Sequence, residues 1–202
     1  QVVQLAKSNG TTLQPIAPYR YYAFPGFDRA ANGDFVACWR NGYAHSGDVG
    51  WIDQSISHDN GNTWSTPVTV HLEATLDSRQ ALLTTLSNGD MLMALYMSDV
   101  TGNVTNILRL RRSTTNGATW GAAVTVASSF TQWVACAGKI IERSGKLLLP
   151  VYGQNIGDTH SSIHVLVSSD NGATWPNEYL VANGQVDVVD YQEPSLVDDV
   201  AN

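Results

Sequence analysis

Charge is scarce in this chain. Asp, Glu, Lys and Arg make up 14% of its 202 residues, and the balance is acidic, with a formal net charge of -7. A protein that tracks nucleic-acid phosphates needs a basic groove, so this balance argues against a nucleic-acid partner. A local cationic pocket remains open to it. Eight of the eleven basic residues are Arg, whose planar fork matches a carboxylate. Cysteine is scarcer still. Cys38 and Cys136 sit in apolar strand-like contexts, ACW and ACA, and read as buried thiols rather than a disulfide. No metal-ligand spacing involves them, and neither a metal nor a cofactor is expected. No apolar run approaches the roughly 18 residues of a membrane helix, so no span is expected. There is no initiator Met and no signal peptide, and Gln1 reads as the start of a mature chain or an excised piece. Sustained 3.6-residue apolar periodicity is also missing, so no long helix is expected. What remains is a chain that is 43% hydrophobic, rich in Ser, Thr, Asn and Gly, which suits many short strands joined by tight turns.

The strongest positive signal is an internal repeat. SHDNGNTW (57–64), STTNGATW (113–120) and SSDNGATW (168–175) share one shape, and their Trp residues lie 56 and 55 positions apart. A second marker keeps step with the first. Turn pairs Asn32-Gly33, Asn88-Gly89 and Ser144-Gly145 precede the apolar runs DFVACW, DMLMALY and KLLLPVY, and the Gly-to-Trp distances are 31, 31 and 30. Each unit reads as four short antiparallel strands, the content of a propeller blade. The octet itself is a mechanical device. Its Ser and Asp side chains accept backbone N–H groups, its Gly supplies positive φ, and its Trp offers a large apolar face. The second copy carries Thr115 where the others have Asp59 and Asp170, so its turn should be held less firmly.

S-x-D-x-G-x-T-W at this spacing resembles the Asp box, or BNR repeat, of sialidases and related propellers. The resemblance implies an all-β fold, a six-bladed β-propeller of the sialidase type. Residues 1–202 would form a single partial propeller of about three and a half blades. The expected blades are about 16–70, 71–127 and 128–183, with the start of blade four at 184–202. The next strand-opening Gly falls due where the chain stops. The expectation is therefore a fragment of a roughly six-bladed protein of about 340 residues, with open blade edges that invite association with another chain.

Further positions resemble sialidases. Their first blade opens with Tyr-Arg-Ile-Pro-Ala, and Tyr19-Arg20-Tyr21-Tyr22-Ala23-Phe24 keeps the Arg while two Tyr replace Ile-Pro. A second Arg, an Asp and the first Asp box then follow in the family's order, here Arg40, Asp48 and Ser57. The family's active-site Glu follows the third Asp box, where this chain has Tyr191-Gln192-Glu193-Pro194-Ser195. The resemblance implies Arg20 as the first of three Arg residues gripping a sugar carboxylate, Asp48 as acid and base, Glu193 as partner of a nucleophilic Tyr, and Arg40 as a supporting cation. Sialidases depart in this way from the usual pair of carboxylates. The nucleophilic Tyr and two clamp Arg residues would lie in later blades, so residues 1–202 alone are expected to turn over no sialoside. Asp48 should stand apart from direct Arg pairing, because an acid catalyst needs its proton. The Pro after Glu193 should keep that residue extended.

His45 pulls towards a broader group. An Arg followed five residues later by His, then an Asp box, with Arg79 at the start of the next inner strand, is similar to sialidase-like propellers of unsettled substrate. His45 and Arg79 could both reach the channel mouth. The bland readings are a loop His and a scaffold Arg. Arg109, Arg111 and Arg112 read as a solvated strand face. Tyr21, Tyr22, Trp51 and Trp133 could stack sugars, but inter-blade packing is their simpler use. The leading function is an exo-glycosidase removing a terminal acidic sugar, sialic acid, from glycans. The alternatives are a non-catalytic glycan-binding propeller, as in a phage or cell-surface adhesion module, and an exo-glycosidase for another sugar. Each implies a glycan or glycoconjugate partner and an extracellular or secreted setting, a phage virion included.

Overall fold

The computed structural model describes residues 7–8, 11–12 and 21–197. The fold is all-β. A short pair, β1 (Lys7–Ser8) and β2 (Thr11–Thr12), precedes three antiparallel sheets. The first is β3 (Tyr21–Arg29), β4 (Phe35–Gly42), β5 (Trp51–Ser57) and β6 (Val68–Leu72), each paired to the next. The second repeats that order with β7 (Leu76–Thr85), β8 (Met91–Asp99), β9 (Val104–Ser113) and β10 (Val124–Val126). The third has β11 (Trp133–Cys136) and β12 (Ile141–Arg143) side by side along β13 (Lys146–Gln154), followed by β14 (Ser162–Ser168) and β15 (Asn177–Ala182). The inner strand of the third blade, continuous by sequence, is thus interrupted. The sheets cover 21–72, 76–126 and 133–182. Beyond them comes not a strand but a single helical turn, α1 (Gly184–Asp187), capped by Asn183. No strand follows among the described residues of the expected fourth blade.

The blades pack face to face. Strand β7 lies across β3, β4 and β5, and β11 lies across β8 and β9. Val36, Cys38, Ile52, Leu83, Met91, Met93 and Leu95 fill the first interface. Leu92, Leu108, Leu110, Val134, Leu149 and Leu166 fill the second. Alternating side chains of the middle strands supply both layers, because successive strand residues face opposite sides. Cys38 and Cys136 are buried free thiols, and burial pushes both pKa values up.

The Asp boxes all sit between third and fourth strands. In the first, the Ser57 hydroxyl accepts the Gly61 N–H at 2.8 Å, and Asp59 accepts the Thr63 N–H and hydroxyl, each at 2.7 Å. Ser168 and Asp170 repeat this, and hydrogen bonds from Thr174 hold the Asp170 pKa down at about 2. In the second, Thr115 offers one hydroxyl, which accepts the Thr119 N–H at 2.9 Å. The boxes also tie blade to blade. Gln54 of β5 donates to Gly117 O at 2.8 Å and accepts from the Trp120 indole at 2.7 Å. The three basic residues of β9 do similar work and are not a solvated face. Arg109 grips Glu73 through two nitrogens, Arg111 donates to three backbone carbonyls, and Arg112 bridges Asp90 and the Asn171 carbonyl. Among their partners Glu73 lies in the β6–β7 turn, Val70 in the neighbouring blade and Asn171 in the adjacent box, which strand alternation alone cannot reveal.

Candidate functional site

The end opposite the Asp boxes carries the starts of β3, β7 and β11 and the loops 43–50, 100–103 and 155–161. We call it the mouth face. A local distortion of the inner strands shapes it. Register shifts between Ala23 and Gly26 in β3, and between Arg79 and Leu82 in β7. The bulged residues Phe24 and Gln80 have φ of 53° and 58°, an uncommon conformation for residues with a Cβ. Glu193 has φ 52° and belongs to the same series. The contacts agree. A Cβ on Gly26 would lie 1.6 Å from Ala81 O, and one on Gly138 would lie 2.7 Å from Pro194 O. Ala81 follows Gln80 as Pro194 follows Glu193, so the 193–194 segment lies against blade three as β7 lies against blade one. Glu193 is therefore left-handed, not extended. The bias that a following Pro imposes is outweighed by this packing.

Arg40, at the end of β4, is wholly buried. Its guanidinium donates from Nε to Asp77 Oδ1 at 2.7 Å, from Nη2 to Asp48 Oδ1 at 2.7 Å and from Nη1 to Ala44 O at 2.8 Å. Gly50 makes room for this, because a Cβ there would stand 2.1 Å from Asp77 Oδ1 and 2.5 Å from Arg40 Nε. Asp48 is directly paired with an Arg, contrary to the sequence expectation. Its Oδ2 also accepts the backbone N–H groups of Tyr43 and, at 3.1 Å, Ala44. This carboxylate ties the backbone of residues 43 and 44 to Arg40 and holds its own loop shut. Asp77, which the sequence reading passed over, is buried beneath Arg40. Burial pushes its pKa up against the pull of Arg40. Its Oδ2 has no hydrogen-bond partner and lies 3.9 Å from Arg79 Nε.

Arg79 is placed differently. It is 5% exposed, with its Cζ 4.7 Å from the Phe24 ring centroid and 5.9 Å from that of Tyr96. Among the described residues nothing accepts a hydrogen bond from it, and Nε is buried without a partner. His45 is exposed and stands edge-on to Tyr21 and Phe24, with ring centroids 5.5 and 5.7 Å apart. Tyr96 and Tyr152 complete the group. Burial raises both their pKa values, and the charges of Arg79 and Glu193 both act on them. The structure thus gathers Arg79, His45 and Glu193 around Phe24, Tyr96 and Tyr152, and sets Arg40 and Asp48 behind them as framework. Arg20 lies outside the described residues. The tyrosines had a legible signal: Arg40, Tyr96 and Tyr152 recur at a spacing of 56 on the second strand of each blade. Among the described residues no group of His, Cys, Asp and Glu could hold a metal ion, and no helix is long and apolar enough to cross a membrane.

Comparison with known proteins follows the same lines. No curated protein matches the chain. Among solved structures, a protein of unknown function from Dyadobacter fermentans is 20% identical over 77% of this chain and 53% of that one, with a TM-score of 0.68. An α-L-arabinanase of Penicillium chrysogenum complexed with arabinobiose is 20% identical over 84% of this chain and 51% of that one, at 0.59. The NanB sialidase of Streptococcus pneumoniae is 12% identical over 90% of this chain and 46% of that one, at 0.63. The chain spans about half the length of these structures, and at such identities the likeness shows the fold. The BNR repeat-like domain matches residues 33–197, across all three blades. The chain therefore belongs to the BNR repeat-like family and forms part of a sialidase-type β-propeller.

Proposed function

We propose that the mouth face binds the terminal acidic sugar of a glycan, and that the protein acts as an exo-glycosidase of the sialidase superfamily. Arg79 is the observation that supports this reading. A buried guanidinium between two aromatic rings, whose described carboxylate neighbour Asp77 stands at 3.9 Å and already bonds Arg40, keeps hydrogen-bond donors that an arriving anion can satisfy. A sugar carboxylate supplies two acceptor oxygens in the plane a guanidinium prefers. In this reading Arg79, with Arg20, grips the carboxylate, and His45 borders the sugar. Glu193 partners a nucleophilic Tyr from a later blade, and Arg40 holds the floor through Asp77. An extracellular or secreted setting goes with such a substrate.

A second reading, glycan binding without turnover, is favoured by Asp48. A carboxylate whose oxygens already accept from Arg40 and from two backbone N–H groups is engaged in holding its own loop. The test offers the full-length protein, later blades included, a fluorogenic sialoside and a fluorogenic arabinofuranoside side by side, and measures its binding of N-acetylneuraminic acid by calorimetry. Sialoside turnover that falls roughly tenfold or more in Arg79→Leu supports the enzyme reading. Binding without turnover selects the second. Arabinofuranoside cleavage that ignores Arg79→Leu contradicts recognition of an acidic sugar.

A further inference from the structure

Tyr43 is an exposed aromatic on a loop that is held unusually well. Its side chain is 58% exposed, yet its backbone N–H is fixed by Asp48 Oδ2. Asp48 is in turn fixed by the buried Arg40, which also holds the next carbonyl, Ala44 O, at 2.8 Å. The ring stands edge-on to Trp51 at 5.9 Å between centroids. A single exposed ring needs no explanation on its own. A three-residue chain of charge-assisted bonds running from the blade interior to that ring does. The pairing engages both charges, so neither the Arg40 guanidinium nor the Asp48 carboxylate is left free beneath the Tyr43 loop. Val100, 43% exposed on the adjoining loop, adds a second apolar group, and Gly47 of the Tyr43 loop closes onto its carbonyl.

The location matters as much as the rigidity. From Arg79 the contacts run outward through Phe24 to His45, and Tyr43 stands two residues before His45 on the same loop. A sugar with its carboxylate on Arg79 would extend its glycosidic substituent past His45 towards Tyr43. A rigid aromatic face with few torsions to freeze, held edge-on against Trp51, complements the C–H face of an uncharged pyranose.

We infer that Tyr43 is a stacking platform for a neutral sugar ring attached to the terminal residue, and that Asp48 is its positioning residue rather than the acid of the reaction. The inference rests on the glycan reading of the mouth face. The ratio of affinities for 3′-sialyllactose and for free N-acetylneuraminic acid, measured by calorimetry on the intact protein, tests it separately from that reading. The trisaccharide should bind more tightly, and Tyr43→Ala should reduce this preference about fivefold to tenfold. Tyr43→Phe should keep it. Asp48→Ala should reduce it as Tyr43→Ala does. Asp48→Asn, which still offers an oxygen to the two N–H groups but loses the bond from Arg40 Nη2, should fall between the wild type and Asp48→Ala. A merely structural Asp48 would lower the thermal midpoint in Asp48→Ala and leave the ratio where it was, which overturns its positioning role. A wild-type protein that binds both sugars equally, or a Tyr43→Ala variant with an unchanged ratio, overturns the platform and leaves the Arg79 reading standing. Failure of the wild type to bind either sugar overturns both.

Discussion

Arg40 and Arg79 are two buried guanidinium groups, 39 positions apart in sequence and both in reach of Asp77. Arg40 is engaged through all three of its nitrogens, by two carboxylates and a backbone carbonyl, and no solvent reaches it. Arg79 is framed by rings, misses Asp77 by the difference between an ion pair and a hydrogen bond, and finds no described acceptor. The contrast separates framework from site. A cation with every nitrogen engaged and no exposed surface is closed to a ligand, however well its position matches a family pattern. A cation left with open donors among rings at the mouth is the one a ligand can answer.

The sharpest way to break the contrast is Arg40→Ala. It should cost about 3–5 kcal/mol in denaturant unfolding, because Asp77 is left as a buried charge without its partner. The double variant Arg40→Met/Asp77→Leu should recover much of that loss. A loss under about 1 kcal/mol for the single variant would mean that Arg40 is not framework.

The next effect comes from a buried base at the outer rim. His71 is 5% exposed, its Nε2 makes no hydrogen bond and stands 3.7 Å from Glu73 Oε1, and burial outweighs that carboxylate and lowers its pKa to about 4. The folded state therefore binds this proton less readily than the unfolded chain, whose value is near 6.5. Stability should be full above that value and fall as pH drops towards 4, by about 3 kcal/mol in all. Unfolding midpoints in urea across this window check it, and His71→Leu should flatten the slope. Arg79→Leu should change stability by only about 1 kcal/mol or less, since it removes a cation with no described hydrogen bond to lose. The smallest effect belongs to the Asp boxes. Thr115→Asp should raise the thermal midpoint by a few degrees at neutral pH by restoring the second acceptor that Asp59 and Asp170 provide. The gain should vanish as pH falls from the ordinary carboxylate value towards 2, the range in which Asp170 takes up its proton.

The blades were legible because their determinants are local. Alternating apolar residues, an Asn-Gly or Ser-Gly turn and an eight-residue box each act within one hairpin, and the period of the chain carries them round. The site was less legible because its determinants cross the period. Whether Arg40 is a ligand-binding or a framework cation depends on Asp77, which lies 37 positions away, and on the absence of a side chain at Gly50. Asp48 gave the right residue type at the right spacing for an acid, but the spacing says nothing about Arg40 reaching it first. The left-handed bulge shared by Phe24, Gln80 and Glu193 was invisible, since none of these residue types favours positive φ; neighbouring backbone imposes it. The three arginines of β9 were misjudged for the same reason, their acceptors being carbonyls and carboxylates beyond their own strand.

The central claim is that Arg79 answers a carboxylate. Its most direct test is the preference of the protein for N-acetylneuraminic acid over the methyl ester of the same sugar, measured by titration calorimetry on the wild type and on Arg79→Leu. The account predicts that the wild type prefers the acid by roughly tenfold or more, the scale of one charge-assisted hydrogen bond, and that Arg79→Leu loses that preference while remaining folded. Equal affinity for acid and ester in the wild type, or a preference that survives in Arg79→Leu, would contradict it.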